Sequence, residues 1–473
     1  MTLLQHRGPK WLPILGSFLE IKFMKSKLGY QHLVWDKLAK DYGPVVGLRL
    51  GLDLIVIVSG INGIREIFTK EEFDGRPDGF FFKMRTFGKR LGLVFSDGHL
   101  WQKQRKFSLH HLKQFGYGRK EMEEQISKEV KVLIENLTHD CSKLIDVHRL
   151  FDVTVINVLW SMMAGERFDL NDIKLKQLLG IINDMFRTTD ISGGMLNQMP
   201  FLRFIVPGKC GYNLHLSILQ RMWTFLEETV KEHKKSACST YARDLIDAFL
   251  QKMDNGENGE TSTFTDEQLL SLCLDLFMAG SETTSNTLEF IVLYLVKYAD
   301  VQRRMQEEMD NVIGRNRWPT LQDRNRLPYV DAVINEVQRI SNVAPVGISH
   351  RATRDSELLG HYIPEGTILL TNLYGLHMDE NYWKDPHVFR PERFLEAKEN
   401  STVQDLHFAP FGYGRRRCLG ESLAKANLFL VTTALFHNFS VVPVNENEPP
   451  CLKGLDGVTL SPKPYQVLLK PRL

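Results

Sequence analysis

The stretch FGYGRRRCLG, Phe411 to Gly420, puts one cysteine directly behind three arginines and sets glycines on both sides of it. Cations beside a thiol favour the thiolate. Cys418 therefore has three chemical readings: a nucleophile, a metal ligand, or an inert core residue. A nucleophile wants a histidine base within reach, and the neighbouring sequence has none. Zinc wants three or four ligands, and no cluster of them occurs.

One thiolate suffices where a porphyrin already fills the equatorial positions of an iron, as in haem-thiolate ligation. The flanks suit that role. Gly414 and Gly420 let the backbone approach the sulfur and aim N–H groups at it, and Phe411 can shield it from water. The following ESLAKANLFLVTTALF reads as an amphipathic helix whose N-terminus favours an anion.

Working outward, the 473 residues carry a net charge of +2 and 43% hydrophobic residues, an ordinary globular balance that gives no argument for nucleic acid. The six cysteines are scattered with no CxxC pair, which speaks against a disulfide scaffold and a structural zinc site and for a reducing, cytosol-facing setting. The N-terminal MTLLQHRGPKWLPILGS lacks the roughly 20-residue apolar run of a membrane span. Sequons at Asn136, Asn400 and Asn438 are expected to stay silent in such a protein.

PVVGLRLGLDLIVIVSG (44–60) reads as two strands joined by a Gly-Leu-Asp turn. Helical periodicity then dominates to about residue 345, with a polar surface loop at 251–263. Past it come short β-branched segments such as GTILLTN, proline-rich coil and the cysteine loop. Thr265 with Gln268 forms a capping box that starts a helix reaching about Ala299. Its centre, AGSETTS (279–285), is weakened by Gly280, Thr283, Thr284 and Ser285, which marks either a site or a close packing contact. The expected class is mainly α (α+β), a single unit over 1–473.

Phe411, Gly414, Arg416, Cys418 and Gly420 reproduce the Phe-x-x-Gly-x-Arg-x-Cys-x-Gly signature, and the chain resembles the cytochrome P-450 haem-thiolate monooxygenases over essentially its whole length. AGSETT, Glu336-Val-Gln-Arg339, Pro391-Glu-Arg393-Phe394 and Trp101-x-x-x-Arg105 match four further motifs of that family. The resemblance implies haem b on the Cys418 axial ligand. It implies a large helical domain with a long central helix and a small β-region. GPKWLPILG resembles the proline-rich hinge that follows a membrane helix in microsomal members, and no such anchor helix precedes it in this sequence. FDGRPDGFFFKMRTFGKR and ISGGMLNQMPFLRFIVPG resemble insect members of the clan that includes vertebrate drug-metabolising enzymes, some of them methyl farnesoate epoxidase-like.

Carried over by resemblance, Arg90, Trp101, Arg105, His350 and Arg416 contact the haem propionates, with Phe411 and Gly412 in the cofactor loop. Thr283 holds dioxygen and an ordered water, and Glu282 helps deliver protons. Glu336, Arg339 and Arg393 form a structural ion network. Phe81, Phe82, Phe87, Phe277, Ala279, Val343, Val346 and Val458 line an apolar pocket for a lipophilic substrate, such as a sesquiterpenoid, a steroid or a xenobiotic. The implied partners are NADPH-cytochrome P-450 reductase, with cytochrome b5 as an optional second donor. The implied place is the cytosolic face of the endoplasmic reticulum membrane, with MPFLRFIV (199–206) resting on it. Arg415, Arg417, Lys103, Lys106 and Lys113 form a basic stripe for an acidic electron donor. Two other classes remain: a reductase-independent isomerase or dehydratase of the same fold, and a haem-based sensor or carrier. Neither needs the Glu282–Thr283 pair.

Overall fold

Thr265 begins the longest helix of the molecule. Its side chain accepts the Gln268 amide at 3.2 Å, and the helix runs Asp266–Lys297, about 48 Å at the α-helical rise. The reciprocal half of the capping box is not formed. The Gln268 side chain instead accepts from the Gly92 amide (2.9 Å) and donates to the Gly92 carbonyl (3.1 Å), tying a distant loop to the helix start. The computed structural model describes residues 8–141, 143–189, 192–236, 241–254, 262–400 and 406–472. Cys238, most of the 251–263 stretch and Ser401–Thr402 of one sequon lie outside them; residues 251–254 end the helix Leu245–Asp254.

The chain is mainly helical with small sheets. From Gln268 to Val296 the central helix is buried at every residue except Ala279, Gly280 and Thr283. A helix apolar on all sides belongs inside a large domain, and this one packs along the equally buried helix Asp152–Ala164. A Cβ on Gly280 would meet Leu159 at 2.5 Å, so close packing is one reason for that glycine. The helix stays continuous through its weak centre.

The helix after Cys418, Glu421–Asn438, departs from the amphipathic expectation. It is buried without a break from Ala426 to His437. The helices Lys120–Asp140, Asp266–Lys297, Ala299–Val312 and Pro328–Ser341 surround it, so its acidic residue and lysine, Glu421 and Lys425, are confined to the first turns.

Strands Val45–Leu50 and Asp53–Val58 pair antiparallel, with Val46 opposite Ile57, around a turn at Gly51 (φ +57°). Asp53–Val58 then pairs parallel with Ile368–Thr371, the GTILLTN segment, whose other edge takes His350–Arg351. The sheet thereby fixes His350 next to the Cys418 side of the molecule.

Glu336 and Arg339 lie one turn apart on Pro328–Ser341, and both side chains are 0% exposed. Arg339 donates to both Glu336 oxygens (2.7 and 2.8 Å) and to the carbonyls of His377 and Pro386. Arg393 donates to Glu336 at 3.1 Å and to the carbonyls of Trp383, Asp385 and Val388. Every guanidinium nitrogen is thus met by protein, which makes a buried ion cluster tolerable. Removing one charge from such a cluster costs about 3–5 kcal/mol. Glu336→Gln is expected to lose stability of that order in urea unfolding. The half-exposed pair Arg304–Glu392 is the control: Arg304→Gln should change stability by less than about 1 kcal/mol.

Candidate functional site

The cysteine loop is shaped by backbone contacts before any ligand is considered. Cys418 N–H donates to the Phe411 carbonyl at 3.0 Å and closes the loop. Gly414 (φ +71°) lies against the Phe68 carbonyl, which a Cβ would meet at 1.9 Å, so only glycine fits there. This glycine serves packing onto the helix Ile61–Thr69, not the sulfur. Gly420 does serve the sulfur: its amide is aimed at Cys418 Sγ. Arg105 donates to the Arg417 carbonyl at 2.7 Å, and the Tyr117 hydroxyl donates to the Leu419 carbonyl, so the helix Gly98–Gln114 and the turn after it grip the loop from outside.

Cys418 opens onto an internal cavity of about 410 Å³. Across it stand Ala279, Gly280 and Thr283, the three open residues of the central helix. The expected effect of the arginines on the thiol is outweighed. Burial pushes the Cys418 thiol above its ordinary range, against the Gly420 amide, Arg105 and Arg417. A thiol so placed becomes a thiolate on binding a metal cation.

The cavity's cations show what else it accommodates. Arg76 donates to the carbonyls of Val94, Ile348 and Ser349; Arg416 donates to those of Asp74 and Ser96. Neither donates to a carboxylate in these bonds. Arg416 also stacks on Trp101 at 3.8 Å. Burial holds Arg76 well below its ordinary value, Arg416 at about 10, and Arg105 lowered. Three guanidiniums crowded at one wall are suited to the two propionates of a haem, and with the Cys418 sulfur beside them these residues fit that group. Arg76 was not among the sequence candidates; its only signal was a basic residue inside FDGRPDG.

The other cofactor candidates divide. Trp101, Arg105, Phe411, Gly412 and Arg416 line the cavity. Arg90 does not: it pairs with Asp97 and donates to the Arg76 carbonyl, so it props Arg76 from behind. Burial alone would raise the Asp97 carboxyl, but Arg90, the Arg76 amide and Arg351 hold it below the ordinary carboxylate range. His350 lines the cavity with Nδ1 at 2.7 Å from the Phe73 carbonyl. Burial and then Arg76 keep it neutral, so Nε2 is an acceptor until an anion beside it draws a second proton there.

Phe81, Phe82, Ala279, Val343 and Val458 line the cavity as expected. Three pocket candidates do not. Phe277 lies two residues from Ala279 on the helix, hence on the opposite face, packed between Trp160 and Phe225. Phe87, with φ +57°, turns its ring onto Trp223. Val346 faces the core under the sheet, with Leu48 and Ile57.

Thr283 faces the cavity and donates to the Ala279 carbonyl at 3.1 Å. Glu282 is turned away from it. Its carboxylate accepts from Arg187 (3.1 Å) and from the Thr459 hydroxyl (2.8 Å), and only Thr459 of that group reaches the cavity wall. Arg187 and Thr459 had no motif to announce them. The basic stripe is narrower than expected. Lys103 lies over the Phe264 ring, Arg415 pairs with Asp74, and Arg417 pairs with Glu421, leaving Lys106 and Lys113 exposed.

Among known proteins, the family model described as Cytochrome P450 matches residues 7–469. The chain is 43% identical over 466 residues to the Farnesoate epoxidase of Bombyx mori, covering 98% of this chain and 93% of the relative. It is 38% identical to the Probable cytochrome P450 305a1 of Drosophila melanogaster, at 97% and 93% coverage. Cytochrome P450 2J5 of Mus musculus is also 38% identical, at 98% and 91%. With the cysteine loop, the cation wall and the open window of the central helix already in place, these matches identify the chain as a member of the cytochrome P450 family.

Proposed function

We propose that this monooxygenase adds one oxygen atom from O2 to a double bond of a sesquiterpenoid ester such as methyl farnesoate. The reading is supported by one observation above all: an apolar cavity bounded by Cys418 on one side and by Ala279, Gly280 and Thr283 on the other. The silkworm relative is named for farnesoate, the acid of the same carbon skeleton, which supports the sesquiterpenoid part of the reading. Haem b, which the family binds, would supply the centre at which dioxygen, with two electrons and two protons, gives one atom to the substrate and the other to water.

The chain's own residues then have separable tasks. Cys418 would supply a sulfur ligand to the iron, and Arg76, Arg105, Arg416 and Trp101 would hold the propionates. Thr283 keeps a hydroxyl at the cavity wall, where its lone pairs accept a bond from water. Glu282 stores the proton. Burial raises its carboxyl to about 7 against the pull of Arg187 and Thr459, so it exchanges protons near neutral pH. The Thr459 hydroxyl, bonded to Glu282 and open to the cavity, is the nearest relay.

Electrons come from a redox partner; NADPH-cytochrome P-450 reductase, with cytochrome b5 as a second donor, fits a docking face on the Lys106 and Lys113 side. No helix among the described residues is long and apolar enough to cross a membrane. Placement on the cytosolic face of the endoplasmic reticulum is supported by a surface patch. Ile14, Leu52, Phe204 and Ile205 are each at least 65% exposed. Gly16 bridges Leu50, and Leu52 N–H donates to the Gln198 carbonyl, which brings the three segments together. The helix Leu202–Ile205 buries no residue, so within MPFLRFIV only Met199 is core.

Incubation with reductase, NADPH, 18O2 and methyl farnesoate should give a product heavier by one labelled oxygen. A protein with a normal thiolate spectrum and no such product would overturn the substrate reading. Cys418→Ala should lose the long-wavelength Soret band of the reduced carbon monoxide complex, whereas changes at Cys141, Cys210, Cys273 and Cys451 keep it. Thr283→Ala should bind substrate as before but divert NADPH into hydrogen peroxide; unchanged coupling removes Thr283 from the mechanism.

Glu282 also makes a stability prediction. Its folded value of about 7 lies above its ordinary 4.5, so the fold binds the extra proton. Its contribution is whole below pH 4.5 and is lost as pH rises through 7. Between pH 4.5 and 8, wild type should therefore lose up to about 3 kcal/mol in urea unfolding relative to Glu282→Gln. Parallel profiles would show that Glu282 titrates normally.

A further inference from the structure

Arg85 follows the short helix Phe80–Met84, is 5% exposed, and lines the cavity beside Phe81, Phe82, Phe95 and Met278. Its guanidinium lies over the Phe95 ring at 4.9 Å. One nitrogen, Nη2, donates to Asp275 at 2.9 Å and touches the Met278 sulfur at 3.7 Å. The other, Nη1, is buried and has no hydrogen-bond partner. Such a donor carries the full cost of desolvation, and beside the apolar groups Phe81, Phe82, Phe95 and Met278 it marks where a ligand oxygen belongs.

The charge around it decides which oxygen. Asp275, on the central helix, is fully buried and already satisfied. Its Oδ1 takes Arg85, and its Oδ2 accepts from the amides of Leu93 (2.7 Å) and Val94 (2.8 Å). Gln268 clamps the adjoining Gly92, so this arrangement is rigid. Arg85 and Asp275 together carry no net charge, yet one N–H arm remains to donate. A neutral carbonyl takes that bond at no electrostatic cost. A free carboxylate would be a second anion beside Asp275 with a single guanidinium shared between them, and like charges there are penalised.

We propose that Arg85 Nη1 is the anchor for a neutral carbonyl oxygen at one end of an otherwise apolar substrate, and that the Arg85–Asp275 pair selects ester over free acid. This rests on the sesquiterpenoid reading above and adds to it the residue that orients the chain. With the carbonyl held at Arg85, the hydrocarbon tail has only the apolar remainder of the cavity on the Thr283 side. Arg85 is on this account a substrate-positioning and specificity residue.

The test measures dissociation constants of the purified holoenzyme for methyl farnesoate, farnesoic acid and the hydrocarbon farnesene, by calorimetry. Wild type should bind the ester about tenfold tighter than the acid, whose carboxylate meets a like charge at Asp275. Arg85→Lys keeps a charge for Asp275 but has no second arm. It should weaken the ester about tenfold and leave farnesene unchanged. Asp275→Asn frees the guanidinium charge and should reverse the order, so that the acid binds tighter than the ester. Each variant is compared only after its carbon monoxide spectrum and Tm match wild type. A wild type that binds none of the three compounds overturns the sesquiterpenoid reading. A wild type that binds them, with Arg85→Lys and Asp275→Asn keeping its ester-to-acid ratio, overturns the Arg85 assignment alone.

Discussion

The Glu336–Arg339–Arg393 cluster is the constraint on which the cysteine side of the molecule depends. Three ionised groups with almost no exposure survive only where every donor finds an acceptor. The carbonyls that complete the set come from His377, Trp383, Asp385, Pro386 and Val388, so the segment between 377 and 388 cannot move independently of the helix Pro328–Ser341. His377 extends the constraint. Burial lowers it to about 3, so it is neutral, with Nδ1 at the Asn342 side chain and Nε2 accepting the Ala409 amide. Ala409 is two residues before Phe411. Position is thus passed from a buried ion cluster to the loop that bears Cys418, over a chain of named hydrogen bonds.

The cavity beyond that loop is electrostatically unfinished in one direction only. Its cations are satisfied by backbone carbonyls, which orient them without cancelling their charge, while Asp97 is spent on Arg90 and Arg351. The excess positive charge lies at the Arg76–Arg105–Arg416 wall, where a dianionic cofactor is expected. The opposite wall is balanced. There Arg85 meets Asp275 and Arg187 meets Glu282, so a neutral, lipophilic molecule is what the space favours.

The balanced pairs are not equivalent. Asp275 receives two amides and an arginine and is locked in place. Glu282 keeps one oxygen without a partner, and its burial outweighs its arginine. The first arrangement suits recognition, which needs a fixed donor. The second suits proton exchange, which needs a group near its own titration point.

The sequence by itself determined the class of the fold and the chemical centre. The Phe-x-x-Gly-x-Arg-x-Cys-x-Gly stretch is legible because its residues act within ten positions of one another: the loop closes between Phe411 and Cys418, and Gly414 is required by φ and by contact with Phe68. The central helix was legible from its cap and periodicity, and the first two strands from their alternation around Gly51. Only the tertiary structure decided which face each side chain takes. Phe277 and Ala279 are two residues apart, yet one is core and the other cavity; Arg76 and Arg90 flank one short helix, yet one supports the other. Arg85, Arg187, Thr459 and Asp275 had no motif because their partners lie from 95 to 272 residues away along the chain. Local pattern carries the backbone's preferences, whereas burial and charge compensation arise only when distant segments meet, and here those decide what the cavity can bind.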